Sequence, residues 1–366
     1  MSPAQPGDEI LVRLRTRTYP HPYPSGWYAV ARSAELKRGA VTGYTLAGNR
    51  IALFRTDDDR GEAVALDGYC PHLGADLSGG RVEGDGLRCP FHSWRFDTKG
   101  AVTEIPYSNT RMKRSLRTGC WHVREVFGLV FVWFGADEAS REPFYELPTL
   151  DDIDAGAMRL CGDRDGGQVA MHISEILENA ADTQHFQFVH REMMVPFTQR
   201  TIPGLHLDFK AEFAFDRAQR HLAHLHVEST VHLVSRRLDF TQGRAHVRFV
   251  GAGALLIFEL SLPKLGRVVL LHTHTPVEPL LQQVRYRWYA DRAMPRPLVA
   301  WLAGAWISQV RSDYGIWANK VYSKRPMLVA EDGPMLEMRR WYKQFYPRDA
   351  SEMRDLPGAQ TQARNA

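Results

Sequence analysis

The chain has 366 residues, 44% of them apolar, a length that calls for two domains with buried cores. Its formal charge of +4 is small for that length and does not suggest nucleic-acid binding. Residues 1–9 are polar with no apolar leader, and the most apolar helical stretch, 298–310, is too short to span a bilayer. The expectation is a soluble cytosolic protein without an integral membrane segment.

From Trp27 to Phe134 short runs such as "GWYAVA", "RIALFR" and "GLVFVWF" are separated by Gly, Asp and Asn turn signals, which predicts a small all-β domain over 26–136. Within it lies "CPHLGADLSGGRVEGDGLRCPFH", where Cys70-Pro71-His72 and Cys89-Pro90-Phe91-His92 are separated by sixteen residues. Each glycine-rich loop offers one thiol and one imidazole. A structural zinc site usually pairs like with like, Cys with Cys and then His with His. One Cys and one His per loop suits a [2Fe–2S] cluster whose two thiolates hold one iron and whose two imidazoles hold the other. Such a centre relays single electrons. Cys120 and Cys161 lie outside this motif and are expected to be small buried side chains, not a disulfide. The basic run "RMKRSLR", Arg111 to Arg117, is either a solvated face or a dock for an acidic redox partner.

The polar, acidic stretch 135–156 reads as a linker to a second domain over 157–350. Residues 172–190 look helical and contain "ENAADTQHFQFVH". Asp182 and His185 share a helical face, whereas His190 is about 140° round from His185 on an ideal helix. For both imidazoles to meet one metal, the helix must end or distort between them. Two His and a carboxylate form the facial triad of non-haem Fe(II) oxygenases. The carboxylate candidates are Asp182 and Asp313; the latter lies on an apolar helical stripe with Trp306, Val310 and Trp317. A buried carboxylate there needs a partner, either a metal or a surface pairing with Arg311 or Lys320. Asn179 either hydrogen-bonds near that metal or is satisfied locally. Residues 205–289 alternate like strands, and helices are predicted over about 297–321 and 334–345. His272 and His274 alternate on one strand face, and with His172 form either a second metal site or polar cavity and surface positions.

Cys-x-His…Cys-x₂-His followed by Asp-x₂-His-x₄-His resembles the catalytic α-subunits of Rieske non-haem iron oxygenases over residues 26–346. That resemblance implies an α+β protein: an N-terminal all-β Rieske [2Fe–2S] domain and a C-terminal helix-grip-like catalytic domain with an antiparallel sheet. It implies Cys70, His72, Cys89 and His92 as cluster ligands, and His185, His190 and Asp313 as ligands of a mononuclear Fe(II). It implies Asp182 as a carboxylate bridging His185 to the His92 of a neighbouring chain in a head-to-tail homotrimer. The implied reaction uses O₂ and NAD(P)H-derived electrons, delivered by a separate ferredoxin or flavin reductase, to hydroxylate or desaturate an unactivated C–H position.

The run "DYGIWANKVYSKRPMLVAEDGPMLEMRRWYKQFY" is similar to the 3-ketosteroid 9α-hydroxylase oxygenase and cholesterol 7-desaturase branch, implying an apolar sterol- or steroid-like substrate. The expectation is a departure from the animal desaturases, with no counterpart of their N-terminal membrane segment, and 205–289 matches nothing specific. The competing readings are the same chemistry on an alkaloid, indole or aromatic amine, and a Rieske electron carrier without catalysis.

Overall fold

A computed structural model describes residues 15–108, 116–262 and 265–348. It divides into two compact units. Most of the basic run 111–117 lies outside the described residues.

The smaller unit is built mainly from Ser25–Glu146 and carries three antiparallel sheets. The first has the order β1 (Gly26–Arg32), β11 (Leu129–Phe134), β10 (Val123–Val126). β1 and β11 are almost wholly buried, so they read as continuous apolar runs instead of alternating ones. The second sheet joins β2 (Val41–Leu46), β3 (Asn49–Arg55), β4 (Ala63–Asp67) and β9 (Cys120–Trp121). The third joins β5 (Arg81–Glu83), β6 (Gly86–Arg88), β7 (Arg95–Phe96) and β8 (Val102–Glu104). A core of Phe54, Leu66, Leu77, Leu87 and Phe96 also contains Cys70 and Cys89, which places both thiols at the base of their loops.

Cys120 and Cys161 depart from expectation. Cys120 is exposed because β9 is an edge strand whose alternation turns Trp121 inward. Cys161 is only half-buried, at a bulge of another edge strand, β12 (Met158–Val169).

The larger unit is built from Leu147–His274 and Pro279–Tyr346. A short helix, α1 (Asp151–Asp154), precedes its sheet. One eight-stranded antiparallel sheet runs in the order β12 (Met158–Val169), β19 (Leu281–Asp291), β18 (Gly266–Glu278), β17 (Leu255–Leu262), β16 (Arg236–Val250), β15 (Leu222–Leu233), β14 (Thr201–Phe215), β13 (Glu192–Met194). Period-two alternation puts Leu225, Val227, Ser229 and Val231 of β15 on one face, while His224, His226 and Glu228 point the other way. The inner face curls against the 22-residue helix α4 (Arg296–Trp317), which opens on Pro297 in the first turn, where a missing N–H costs nothing. Gly304 of α4 allows close approach: a Cβ there would sit 2.6 Å from the Phe197 ring.

The segment 172–190 is not one helix. It forms α2 (Glu175–Ala181) and α3 (His185–Val189), with the chain leaving helical geometry at Asp182. The last helix among the described residues, α5 (Met335–Tyr342), ends in a tight turn, Lys343–Phe345.

Candidate metal centres and the cavity

The two loops of the smaller unit have the same backbone hydrogen-bond pattern. Cys70 N–H donates to the Ala75 carbonyl, and Gly74 N–H returns a bond to the Cys70 carbonyl, both at 2.9 Å. Cys89 N–H donates to the Trp94 carbonyl at 2.9 Å, and Ser93 N–H returns to the Cys89 carbonyl at 3.2 Å. The fourth residue after each cysteine takes positive φ, 75° at Gly74 and 57° at Ser93. His72 is two positions beyond its cysteine and His92 three, yet their rings meet edge to face with centroids 4.8 Å apart.

His72 stacks flat on Trp94 at 4.6 Å, and the Trp94 indole N–H donates to Tyr107 Oη at 2.8 Å. Asp76 braces the first loop by accepting from Ser78 N–H and from Arg50. His92 Nδ1 is buried with no hydrogen-bond partner among the described residues. Burial pushes the Cys70 thiol up to about 11, so a thiolate there at neutral pH needs cations beside it. Two buried thiols and two imidazoles, one with an orphaned buried nitrogen, fit a [2Fe–2S] cluster.

In the larger unit His185, His190 and Asp313 converge: one donor atom from each lies within 4.8 Å of the others. α3 ends at Val189, so His190 swings out of the helix and reaches the same side as His185. The Nδ1 side of each imidazole is held by an acceptor. His185 Nδ1 donates to the Asp182 carbonyl, and His190 Nδ1 donates to Gln309 Oε1 at 3.1 Å. Both Nε2 lone pairs are thereby turned inward, the tautomer a metal requires. His190 Nε2 lies 3.3 Å from Asp313 Oδ2. Burial holds His185 below the usual imidazole range, with Asp313 opposing the shift, which keeps the ring neutral.

Asp313 is buried, and among the described residues no Lys or Arg forms an ion pair with it. Lys320 instead pairs with Glu175 at 2.6 Å and Glu178 at 3.0 Å. Asn179 Nδ2 sits 3.1 Å from His185 Nε2 and 3.4 Å from Asp313 Oδ2, at the centre of the triad. Asp182 departs from expectation within this chain. Its carboxylate accepts from the backbone N–H groups of Gln184 and His185, while its main-chain carbonyl takes the imidazole. The cause is local: leaving the helix at ψ 88° turns that carbonyl toward His185.

Gln309 was not singled out from the sequence, although it precedes Asp313 by four residues and so shares its helical face. His172 is a satisfied core residue, bonded to Ser174 Oγ and the His21 carbonyl. His272 and His274 are both buried; His272 bonds to Tyr314 and lines the cavity, and the two belong to no metal-binding group among the described residues.

The triad opens on a cavity of about 240 Å³. Leu256, Phe258, Leu260 and Leu262 of β17 line it, facing Trp301, Leu302, Ala305 and Trp306 of α4. The apolar stripe of α4 that carries Asp313 is therefore a cavity wall.

Residues 132–346 match the family model described as the 3-ketosteroid 9alpha-hydroxylase C-terminal domain, and residues 26–122 match the Rieske [2Fe-2S] domain. The chain belongs to the Rieske non-haem iron oxygenases. It is 32% identical to the cholesterol 7-desaturase of Xenopus laevis over 371 aligned positions, covering 96% of this chain and 78% of that protein. It is 27% identical to a probable 3-ketosteroid-9-alpha-monooxygenase oxygenase component of Rhodococcus rhodochrous, covering 90% of this chain and 81% of that one. Among solved structures, dicamba monooxygenase bound to dicamba has a TM-score of 0.62 at 21% identity, covering 89% of this chain and 98% of that one. This oxygenase thus carries a Rieske cluster and a mononuclear iron, in the α+β fold of its family. No helix among its described residues is long and apolar enough to cross a membrane.

Proposed function

We propose that this oxygenase hydroxylates or desaturates an unactivated C–H position of a sterol- or steroid-like molecule. The observation that carries the reading is the triad His185, His190 and Asp313 opening on a cavity walled by leucines, phenylalanines and tryptophans. Relatives named for cholesterol and 3-ketosteroids support the substrate class.

Cys70, His72, Cys89 and His92 would hold the cluster, and His185, His190 and Asp313 the iron. When bound, the cluster supplies single electrons and the iron supplies a site for activating O₂. The residues around them do the positioning. The Asp182 carbonyl and Gln309 keep the Nδ1 protons in place, and the Asn179 amide donates toward Asp313. The apolar wall excludes water and orients one C–H bond of the substrate, which decides between hydroxylation and desaturation.

A ferredoxin or flavin reductase would deliver NAD(P)H-derived electrons. Leu73, Phe91 and Tyr107 are exposed around the cluster loops, and Phe188 is exposed on α3. These apolar faces support a head-to-tail homotrimer in which the cluster of one protomer meets the Asp182 bend of the next. A cytoplasmic location accords with this reading.

The test is the mass of the product. The purified protein, an NADH-linked reductase and O₂ are run against sterols, 3-ketosteroids and bile acids. A steroid that gains one oxygen or loses two hydrogens supports the reading. NADH consumption that yields only peroxide with every steroid contradicts the substrate class.

A further inference from the structure

The cavity wall contains a few polar side chains, and nearly all of them are engaged. Asn179 serves the triad. Gln309 bonds to His190 Nδ1 and donates to the Glu192 carbonyl at 3.0 Å. Thr241 accepts from Val231 N–H at 2.9 Å and donates to the Leu238 carbonyl at 2.6 Å. His272 Nε2 shares a hydrogen bond with Tyr314 Oη at 3.1 Å. His272 Nδ1 and the Trp306 indole nitrogen have no partner among the described residues, but both are buried away from open space.

Ser229 differs from all of these. It lines the cavity and is half-buried, and its hydroxyl has no hydrogen bond among the described residues. It stands beside Phe209 of β14 and Gly243 of β16 at one level of the sheet. Gly243 leaves that hydroxyl uncovered. A Cβ at Gly243 would lie 3.7 Å from Ser229 Oγ, 3.6 Å from Leu260 and 3.7 Å from Leu262, all ordinary contacts. The backbone at Gly243 has no positive φ, so a side chain could be carried there.

We infer that Ser229 is a specificity-determining residue, which hydrogen-bonds the single hydroxyl or keto oxygen of an otherwise apolar steroid, and that Gly243 keeps it open to the ligand. This deepens the steroid reading and rests on it. A hydroxyl both donates and accepts, so it can recognise an alcohol or a ketone. In an apolar cavity a ligand oxygen without a partner pays for its lost hydration, which turns one hydroxyl into a selector.

The experiment is binding to the full-length, cluster- and iron-loaded protein, followed by the fluorescence of the cavity tryptophans. The probes are androstanol, with one hydroxyl, and androstane, the matching hydrocarbon. Wild type is expected to prefer androstanol by about 5- to 10-fold, the effect of one neutral hydrogen bond. Ser229→Ala should bring the ratio to one or below, while leaving androstane binding and the cluster spectrum unchanged. Ser229→Thr should restore part of the preference, and Gly243→Val should abolish it by covering the hydroxyl. A preference that survives Ser229→Ala overturns the role of Ser229 and leaves the steroid reading standing. If neither compound binds wild type, the steroid reading fails and this inference falls with it.

Discussion

The Asn179 carboxamide nitrogen lies 3.1 Å from Nε2 of His185, on the side where a metal would take the lone pair. An iron taking that lone pair would leave the amide its donation toward Asp313. Replacing Asn179 with Ala should therefore leave the ligands present but loosen the carboxylate. Turnover should fall about 10-fold or more, the usual cost of losing an outer hydrogen bond at a metal site. Steady-state rates beside iron analysis check this; unchanged turnover assigns Asn179 a purely local role.

Gln309 bears on the other imidazole. Gln309→Leu removes the acceptor for His190 Nδ1–H and frees the ring to rotate or change tautomer. Iron affinity should drop about 10- to 100-fold. Gln309→Glu should retain it, since a carboxylate also accepts that proton. Iron retention against a graded chelator series reads both.

Ser93 shows how much of the cluster site is backbone. At φ 57° it occupies the left-handed region without being glycine. Ser93→Gly should preserve cluster content and thermal stability. Ser93→Val should lose the cluster, because a β-branched residue there is strained by roughly 1–3 kcal/mol. Visible absorbance per chain, with the melting temperature, distinguishes the two.

These three cases also mark what could be read from the chain. The cluster ligands and the His185–His190 pair are local in sequence, and the need for a helix break between the two imidazoles followed from helical geometry alone. The break appears at Val189. Gln309 and Ser229 were hidden because their roles depend on contacts across 119 residues in one case and on the emptiness beside Gly243 in the other. The imidazole cluster of His224, His226 and His246 was likewise out of reach, since it forms only when β15 and β16 pair. Lys320 stood as one possible partner for Asp313, but no spacing rule could show Glu175 and Glu178 claiming it from α2.

That claim has a consequence for stability. Glu175 and Glu178 are buried, and Lys320 and Arg339 neutralise them, Arg339 reaching Glu178 at 2.7 Å. Burial raises the Glu175 carboxyl while Lys320 opposes the rise. Lys320→Met should destabilise the larger unit by about 3 kcal/mol, at the low end for a broken buried pair because Glu175 can take up a proton. A urea titration monitored by tryptophan fluorescence checks it. A change below about 0.5 kcal/mol contradicts a structural role for the pair.

Histidines kept neutral by the fold set the acid limit. Burial lowers His172 to about 4 and His274 to about 3. His246 is lowered to about 4 by burial, with His226 and His224 adding repulsion. The unfolded chain protonates these rings from about pH 6.5 downward, whereas the folded chain does not until about 4. Stability should thus be level near pH 7 and fall as pH drops from 6.5 toward 4. His246→Gln should flatten part of that fall, as seen in urea midpoints across pH.

The central claim is two metal centres on two sets of residues, and iron counting tests it most directly. Wild type reconstituted without oxygen should hold about three irons per chain, two in the cluster and one in the triad. His185→Ala should hold about two, with the cluster spectrum intact and no product formed. Equal iron in both proteins, or product from the variant, would contradict the assignment of His185, His190 and Asp313.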